Sequence, residues 1–479
     1  MLHTSSWDVV RHLGDGKAGL EKEGLRVTKD GFMARTRDPF VGDPYIVKDF
    51  SENQTEINTP VCSCIGEAVD ILEEYAGKIR KTLKEMPEPE YLWPFSNPPY
   101  IRSEDDIPVA QYEGADRVKT EYRNYLAGRY GKYMMTFSGI HFNYSFSDEL
   151  LMAEYEAVCA EAAAAAAAAG ADSERAEAAG AKPFDSFQDF KNHFYVSLAA
   201  KALVYNWLIV MLTAASPILD SSYLEKGKLG GSVFSGMSSV RCSEMGYWNF
   251  FTPVLDYSDI GKYADSIQGY IDYGMIRSSS ELYFPIRIKP AGKYDLARLK
   301  ENGVSHIELR MIDLNPFVGG GLAEEDAEFI KLLLIYLAAQ PDRAITAHEQ
   351  IQAVKNTKNA ARYDKANTKI MMPASEEELC KCREEESPAT SYLPKGTQTI
   401  DLLSASKCAL DKVECFYKDI LDRFEQLEPA RERVESVIAY QKAKISSPEK
   451  RYDVMVYKMY GEEFVERGMK LAKAMSDEA

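Results

Sequence analysis

The chain has 479 residues, of which 45% are hydrophobic and 27% charged, a composition typical of a globular protein with one large domain or two compact units. Its formal net charge of −17 argues against broad binding of nucleic acids or anionic membranes, because both attract basic surfaces. Polar residues such as Asp8 and Arg11 interrupt the start of the chain. We therefore predict no secretory signal and a cytoplasmic location.

The longest apolar stretch, residues 202–219, contains Asn206, Thr213 and Pro217. These residues favour a buried helix over a membrane span. The eight cysteines lack zinc-ribbon spacing, and we predict that they are reduced thiols.

Helix-like and strand-like patterns are mixed up to Phe317, and the pattern from Leu322 onward is almost wholly helical. This change predicts an α+β protein with a sheet-containing core at residues 1–320 and a helical C-terminal part at residues 321–479 packed on it. Residues 150–182 hold a low-complexity, alanine-rich insertion, which we expect to be a marginal solvent-exposed helix or a loop.

Several segments between turn signals have strand character: Gly19–Thr28, Gln54–Thr59, Met134–Phe146, Glu281–Lys289 and Ser305–Leu314. They do not alternate with helices as parallel βαβ units do, so the sheet is predicted to be mainly antiparallel. The chain also has no glycine-rich phosphate loop, because its glycine and lysine residues lack the required spacing. A bound nucleotide would therefore depend on metals and side chains.

Glu21 and Glu23 are two residues apart, so in a strand both carboxylates project from one face. Their repulsion disappears if a divalent cation lies between them, and hard oxygen ligands suit Mg2+ or Mn2+. Taken alone, the pair is more simply explained by a solvent-exposed strand face.

Three further strands carry polar groups on one face. Glu56 lies in a row of polar side chains, His141 lies opposite a nearly continuous apolar face, and Glu308 shares a face with Arg310. Each has an ordinary structural explanation, such as a hydrogen-bonded histidine or a cross-strand salt bridge. The functional alternative places Glu308 on a metal and Arg310 on a phosphoryl oxygen. Together the strands predict a sheet with one face on helices and a polar basin on the other.

Seven motifs follow one another in order over nearly 300 residues: GLEKEGLRV (19–27), DFSENQTEINTP (49–60), LWPFSNPPY (92–100), YRNYLAGRYGKYMMTFSGIHFNYSF (122–146), VRCSEMGY (240–247), ELYFPIR (281–287) and HIELRMIDLNPF (306–317). In these motifs the chain resembles the bacterial glutamate–cysteine ligases, also called γ-glutamylcysteine synthetases. The resemblance implies a twisted, mainly antiparallel sheet with helices on its outer face, similar to the catalytic part of glutamine synthetase.

The resemblance also implies the roles of individual residues. It implies a Mg2+ site, with Mn2+ as the alternative ion, formed by Glu21, Glu23, Glu56, His141 and Glu308. Asp49 is expected in the same cluster, with a catalytic role for it and for Arg310. Arg123 and Arg310 are expected to approach the nucleotide phosphates, and Arg241 and Tyr247 the substrate carboxylates. The residues expected around the cysteine pocket are Phe50, Tyr122 and Tyr283.

The implied reaction has two steps. The γ-carboxylate of glutamate attacks ATP to form γ-glutamyl phosphate, and the amine of cysteine then displaces phosphate, which is the first step of glutathione biosynthesis. The implied partners are glutamate, cysteine and ATP, without nucleic acid or membrane, and we expect a monomer. Met135 and Phe137 depart from the family pattern and leave the acceptor open. The alternatives are a ligase that joins glutamate to another amine and a non-catalytic nucleotide- or metal-binding module.

Overall fold

The computed structural model describes residues 2–168, 183–226, 230–373 and 397–479. The strands, in chain order, are β1 (Gly16–Thr28), β2 (Ile46–Lys48), β3 (Gln54–Asn58), β4 (Glu90–Leu92), β5 (Ile140–Phe146), β6 (Ile218–Asp220), β7 (Ser232–Phe234), β8 (Ile286–Lys289), β9 (His306–Ile312), β10 (Lys369–Pro373) and β11 (Thr397–Asp401).

The helices in the same ranges are α1 (Trp7–Val10), α2 (Ile65–Lys84), α3 (Arg117–Tyr130), α4 (Asp148–Ala168), α5 (Phe187–Thr213), α6 (Ser221–Leu224), α7 (Ile260–Asp272), α8 (Leu296–Asn302), α9 (Glu324–Ala339), α10 (Ala347–Ala360), α11 (Leu402–Arg423), α12 (Glu428–Ser446), α13 (Tyr452–Tyr460) and α14 (Phe464–Glu478).

In the described part of the chain, seven strands form one sheet in the order β2-β3-β1-β5-β9-β8, with β4 paired to the far end of β1. All of its strand pairs are antiparallel. The long strand β1 pairs with β3 and β5 on either side and places Glu23 opposite Glu56 and Glu21 opposite His141. Directly opposed residues share a face of the sheet. The fold class predicted from the sequence is confirmed.

Two predicted strands are shorter than expected. The segment predicted as Met134–Phe146 begins with a 3-10 turn at Met134–Thr136, and β5 starts only at Ile140. The segment predicted from Glu281 likewise begins with a 3-10 turn, and β8 starts after Pro285. Pro285 has no backbone N–H, so it cannot donate a hydrogen bond to a neighbouring strand.

The apolar face of the sheet is covered by helices. The helix α5 packs on β8 and β9, while α2 packs on β1. Among the described residues, α5 is the one helix long and apolar enough to span a membrane, with a mean hydropathy of 1.6 over its most apolar window. That window is 83% buried inside the protein, as expected of a core helix. The predicted buried helix is therefore present, and it ends at Thr213, before Pro217.

The C-terminal part is mainly helical, but the prediction of an almost wholly helical pattern is incomplete because β10 and β11 pair in this region. The helix α9 packs against α5 and α2, and α14 packs against α2 and β4. The division of the chain at residue 320 stays a prediction.

The alanine-rich insertion falls partly outside the described residues. Its first part belongs to α4, where Leu150, Leu151 and Glu154 are buried and the following alanines up to Ala168 are mostly exposed. Residues 169–182 lie outside the described ranges.

Gly468 in α14 lies against the ring of Trp93, and a Cβ atom at this position would lie 2.4 Å from a ring carbon. We expect Gly468→Ala to lower the free energy of unfolding by about 1–3 kcal/mol, because the rigid ring must shift. Gly77 in α2 provides the matched control, since its Cβ would meet no atom within 4 Å. Gly77→Ala should raise stability by about 0.5–1 kcal/mol, as helix propensity predicts. Equal effects in denaturant unfolding would contradict the packing of α14 on this ring.

Candidate functional site

Three side chains with metal-ligand atoms converge from three neighbouring strands. Glu21 of β1, His141 of β5 and Glu308 of β9 each offer one ligand atom, and these atoms lie within 4.8 Å of one another. The His141 Nδ1 atom is 2.9 Å from a carboxylate oxygen of Glu21 and 3.8 Å from one of Glu308. The cross-strand register explains this convergence, because Glu21 lies opposite His141 and Glu308 lies opposite Asn143.

This cluster fits a divalent cation. The His141 Nε2 atom and one carboxylate oxygen of Glu308 are buried and have no hydrogen-bond partner in the described part of the chain, so each has an unused lone pair or proton. Burial and the nearby charge of Arg310 lower the pKa of His141 to about 4. The imidazole is therefore neutral at pH 7, which is the form that binds metals. Carboxylate oxygens with one imidazole nitrogen are a ligand set suited to Mn2+. The same set suits Mg2+ less well, because Mg2+ prefers oxygen ligands.

A second acidic group lies beside the first. Glu23 and Glu56 face each other across β1 and β3. Glu23 accepts a hydrogen bond of 2.9 Å from the backbone N–H of Gly139 and approaches His141 Nε2 at 4.0 Å. Burial and the charge of Asp49 raise the pKa of Glu23 to about 7, and burial and Asp49 also raise the pKa of Glu56 well above its usual value. Burial raises the pKa of Asp49 itself. These carboxyl groups therefore repel one another when all are ionised.

Cationic side chains lie within hydrogen-bond distance of the first acidic group. The Lys289 ammonium is 3.1 Å from a carboxylate oxygen of Glu308 and 3.4 Å from one of Glu21, while Arg310 is 3.1 Å from Glu308. Burial opposes ionisation of Glu308, but the charges of Arg310 and Lys289 hold its pKa well below the usual value. Burial also opposes ionisation of Glu21, yet the hydrogen bond with His141 and other interactions lower its pKa to about 2.

Lys289 and Arg287 are site residues that the sequence analysis did not identify. In β8 they alternate with the buried residues Ile286 and Ile288, so both project toward the face that carries Glu308. Arg287 binds the carbonyl oxygens of Ser280 and Leu282 and approaches Glu308 at 3.8 Å. The alternation of isoleucine with basic residues indicates that Arg287 and Lys289 share a face of the strand. It does not show that this face carries Glu308, which follows only from the pairing of β8 with β9.

A small pocket borders the acidic site. Its lining residues are Arg241, Tyr247, Tyr283, Phe284, Arg310 and Met311. The Arg241 guanidinium donates a hydrogen bond of 2.8 Å to the carbonyl oxygen of Arg310, and its other terminal nitrogen is buried without a partner. It lies against Gly139, where a Cβ atom would come within 2.3 Å of the guanidinium carbon. The pocket therefore presents an unpaired cationic N–H, which suits a carboxylate.

The aromatic residues predicted to line a pocket also meet. The rings of Tyr247 and Tyr283 have centroids 4.1 Å apart. Phe50 and Tyr283 belong to one buried cluster, against which Tyr122 and Tyr247 pack. Burial raises the pKa of Tyr122 to about 12, so its hydroxyl stays protonated at neutral pH.

Arg123 lies at another edge of the site. It donates hydrogen bonds to the carbonyl oxygens of Asp49 and, at 3.5 Å, Lys48, and its guanidinium lies 5.0 Å from the ring centroid of Tyr112. It thus orders the segment that carries Asp49. The phosphate contact expected for Arg123 stays a prediction.

The two residues that depart from the family pattern are both buried, in two separate clusters. Phe137 packs its ring 5.1 Å from that of Tyr223, and its carbonyl oxygen accepts a hydrogen bond from Gln54. Met135 belongs to the same buried cluster as Phe50 and Tyr283. The side chains at 135 and 137 thus supply apolar packing rather than hydrogen bonds.

The family model described as "Glutamate-cysteine ligase" matches residues 5–272 and 250–360. The chain is 33% identical to the glutathione biosynthesis bifunctional protein GshAB of Listeria monocytogenes over 97% of its own length and 55% of that protein. It is 31% identical to a glutamate–cysteine ligase of Clostridium acetobutylicum over 75% of its own length and 79% of that protein. The chain thus spans about half the length of the GshAB relatives.

Two solved structures share the fold. A bifunctional glutathione synthetase of Pasteurella multocida has a TM-score of 0.73 at 22% identity, covering 98% of this chain and 53% of that one. A glutamate–cysteine ligase of Francisella tularensis in complex with AMP has a TM-score of 0.74 at 20% identity, covering 97% of this chain and 89% of that one. With the extent of the sequence match, the chain belongs to the glutamate–cysteine ligase family.

Proposed function

We propose that this chain joins the γ-carboxyl group of L-glutamate to the amine of L-cysteine with ATP, by way of γ-glutamyl phosphate. The observation that carries this proposal is the adjacency of two sites on β9. Glu308 belongs to the cluster of metal-ligand atoms, and Arg310 lies between that cluster and the pocket of Arg241. Phosphoryl transfer to a carboxylate needs cations next to a site that binds the carboxylate substrate.

We propose that Glu21, His141 and Glu308, with Glu23 and Glu56 beside them, hold Mg2+, with Mn2+ as the alternative. The partnerless Nε2 of His141 and the repulsion among the carboxylates support this assignment. When bound, the metal would neutralise charge on the phosphate oxygens of ATP.

The chain's own residues have separate roles in the proposal. The buried, partnerless N–H group of Arg241 binds a carboxylate of glutamate, with Tyr247 beside it. The guanidinium of Arg310 offsets the negative charge that develops on the transferring phosphoryl group. Asp49, whose pKa is raised by burial, accepts the proton released by the amine as the peptide-like bond forms. Arg123 contacts the phosphates of ATP in the same proposal.

The acceptor pocket is assigned to Phe50, Tyr122 and Tyr283. The apolar side chains of Met135 and Phe137 close to this region favour a small acceptor over one that needs several hydrogen bonds. A different amine acceptor is the second candidate function, and it rests on the same two residues. We also propose a cytoplasmic location and a monomer.

Product analysis tests the function and its rival together. With glutamate, cysteine, ATP and Mg2+, we expect γ-glutamylcysteine and ADP in equal amounts, detected by mass spectrometry and a coupled ADP assay. Omission of either amino acid should suppress ADP release. Efficient turnover with other amines but not with cysteine would favour the rival ligase, and ATP binding without any amino-acid-dependent ADP release would favour a non-catalytic module.

Arg310→Lys keeps one positive charge but loses the planar pair of N–H donors. We expect kcat to fall by about a hundredfold, as for the loss of one donor to a transition-state charge. The yield of γ-glutamyl phosphate, trapped with hydroxylamine in the absence of cysteine, should fall in parallel. Arg298→Lys on the exposed side of α8 is the control and should leave both quantities unchanged. An unchanged trapping rate in Arg310→Lys would remove Arg310 from phosphoryl transfer.

Glu23→Gln should change how stability depends on pH in the metal-free protein. The folded-state pKa of Glu23 is about 7 against a usual value of 4.5, so its contribution to stability falls as pH rises through this interval. Between pH 4.5 and pH 8 the free energy of unfolding of the wild-type protein should fall by roughly 3 kcal/mol more than that of Glu23→Gln. Denaturant unfolding in a chelator measures this difference, and added Mg2+ should remove it. A difference independent of both pH and Mg2+ would show that Glu23 lies outside the metal site.

A further inference from the structure

Asp313 directly follows β9 and is 2% exposed. Its carboxylate accepts three hydrogen bonds. One oxygen accepts from the backbone N–H of Ala215 at 2.9 Å and from the Ser216 hydroxyl at 2.6 Å. The other oxygen accepts from the Ser239 hydroxyl at 3.0 Å. One oxygen therefore binds residues 215–216, which follow α5, and the other binds the segment 239–242. The two segments also pair directly, because the backbone N–H of Val240 donates to the carbonyl oxygen of Ser216.

The segment 239–242 carries Arg241 and is held by β9 a second time. The Arg241 guanidinium donates to the backbone carbonyl oxygen of Arg310, on the same strand that leads to Asp313. Residues three apart on an extended strand are separated by about 10 Å. β9 and Asp313 thus hold the segment at three points, because the Cys242 thiol also lies 3.8 Å from the carbonyl oxygen of Met311.

The guanidinium group of Arg241 has little room to move. Its guanidinium lies against Gly139 so closely that no side chain fits there, and Arg241 is one of the residues that line the small pocket. The Ser239 hydroxyl also accepts a hydrogen bond from the backbone N–H of Cys242. The same oxygen atom therefore binds Asp313 and closes the turn that contains Arg241. A carboxylate held rigidly at one oxygen can therefore set the direction of the turn through the other.

We propose that Asp313 is a positioning residue for the amino-acid donor: through Ser239 it holds Arg241 in the orientation that binds the carboxylate of glutamate. The inference rests on the proposed function, because it assigns the Arg241 pocket to glutamate. Asp313 touches no substrate, and its effect passes through the segment 239–242.

Two serine variants separate positioning from stability. Ser239→Ala removes the hydroxyl that donates to one oxygen of Asp313 from the Arg241 segment. Ser216→Ala removes the hydroxyl that donates to the other oxygen from the residues after α5. Both serines are buried, so both variants should lower the melting temperature by similar amounts. We expect Ser239→Ala to raise KM for glutamate about tenfold, with KM for ATP and kcat within about twofold of wild type. Ser216→Ala should leave all three constants within about twofold.

A double-mutant cycle with Arg241→Ala supplies the decisive readout. If Ser239 acts through Arg241, the tenfold effect of Ser239→Ala on KM for glutamate should vanish in the Arg241→Ala background. A persistent effect, or equal effects of Ser239→Ala and Ser216→Ala in the wild-type background, would overturn the inference while the ligase activity stands. A wild-type protein that consumes no glutamate would instead overturn the proposed function itself.

Discussion

Electrostatic repulsion among carboxylates on the polar face of the sheet is the constraint on which the site depends. The register of β1 with β3 and β5 places Glu23 opposite Glu56 and Glu21 opposite His141, and the sheet offers no alternative positions for these side chains. Backbone hydrogen bonds along three strands hold the acidic groups together. Their mutual repulsion therefore destabilises the folded state unless bound protons, lysine and arginine side chains or metal ions offset it.

The compensation is unequal across the face. Glu21 and Glu308 have Lys289 and Arg310 within hydrogen-bond distance and stay ionised at low pH. Among the described residues, Glu23 and Glu56 have no cationic partner within hydrogen-bond distance, and they hold their protons to higher pH. The site is thus electrostatically divided, with the ionised carboxylates next to Lys289 and the proton-holding carboxyl groups next to Asp49. A cation arriving at the second half displaces protons, so its affinity should depend on pH more steeply there than at the first half.

Residue parity along single strands predicted a polar basin, and the family resemblance then implied that its acidic residues bind a metal. Glu21, Glu23, Glu56, His141 and Glu308 were identified because alternate positions in a strand share a face, and the sheet brings Glu21, His141 and Glu308 together as expected. Parity says nothing about which strands are neighbours, which is why Lys289 was missed although its strand had been predicted.

The limits of the predicted elements have equally local causes. The strands before Ile140 and Ile286 are replaced by 3-10 turns, which hydrophobic alternation alone does not distinguish from strands. The pairing of β10 with β11 joins segments separated in the chain and leaves no periodic signal in either one alone. The family resemblance identified the aromatic and arginine residues of the pocket, whereas the contacts of Asp313 with Ser216 and Ser239 depend on tertiary packing that no motif records.

Gly139 connects the two halves of this chemistry through its backbone. Its N–H group binds the carboxylate of Glu23, its carbonyl oxygen accepts the N–H of Glu23, and its missing side chain makes room for Arg241. A substitution at Gly139 would disturb both the acidic face and the position of Arg241, so neither can change through this residue without the other. Divergence in substrate choice within such a scaffold must instead arise at neighbours such as Met135 and Phe137, which pack against the pocket region without bonding to either group.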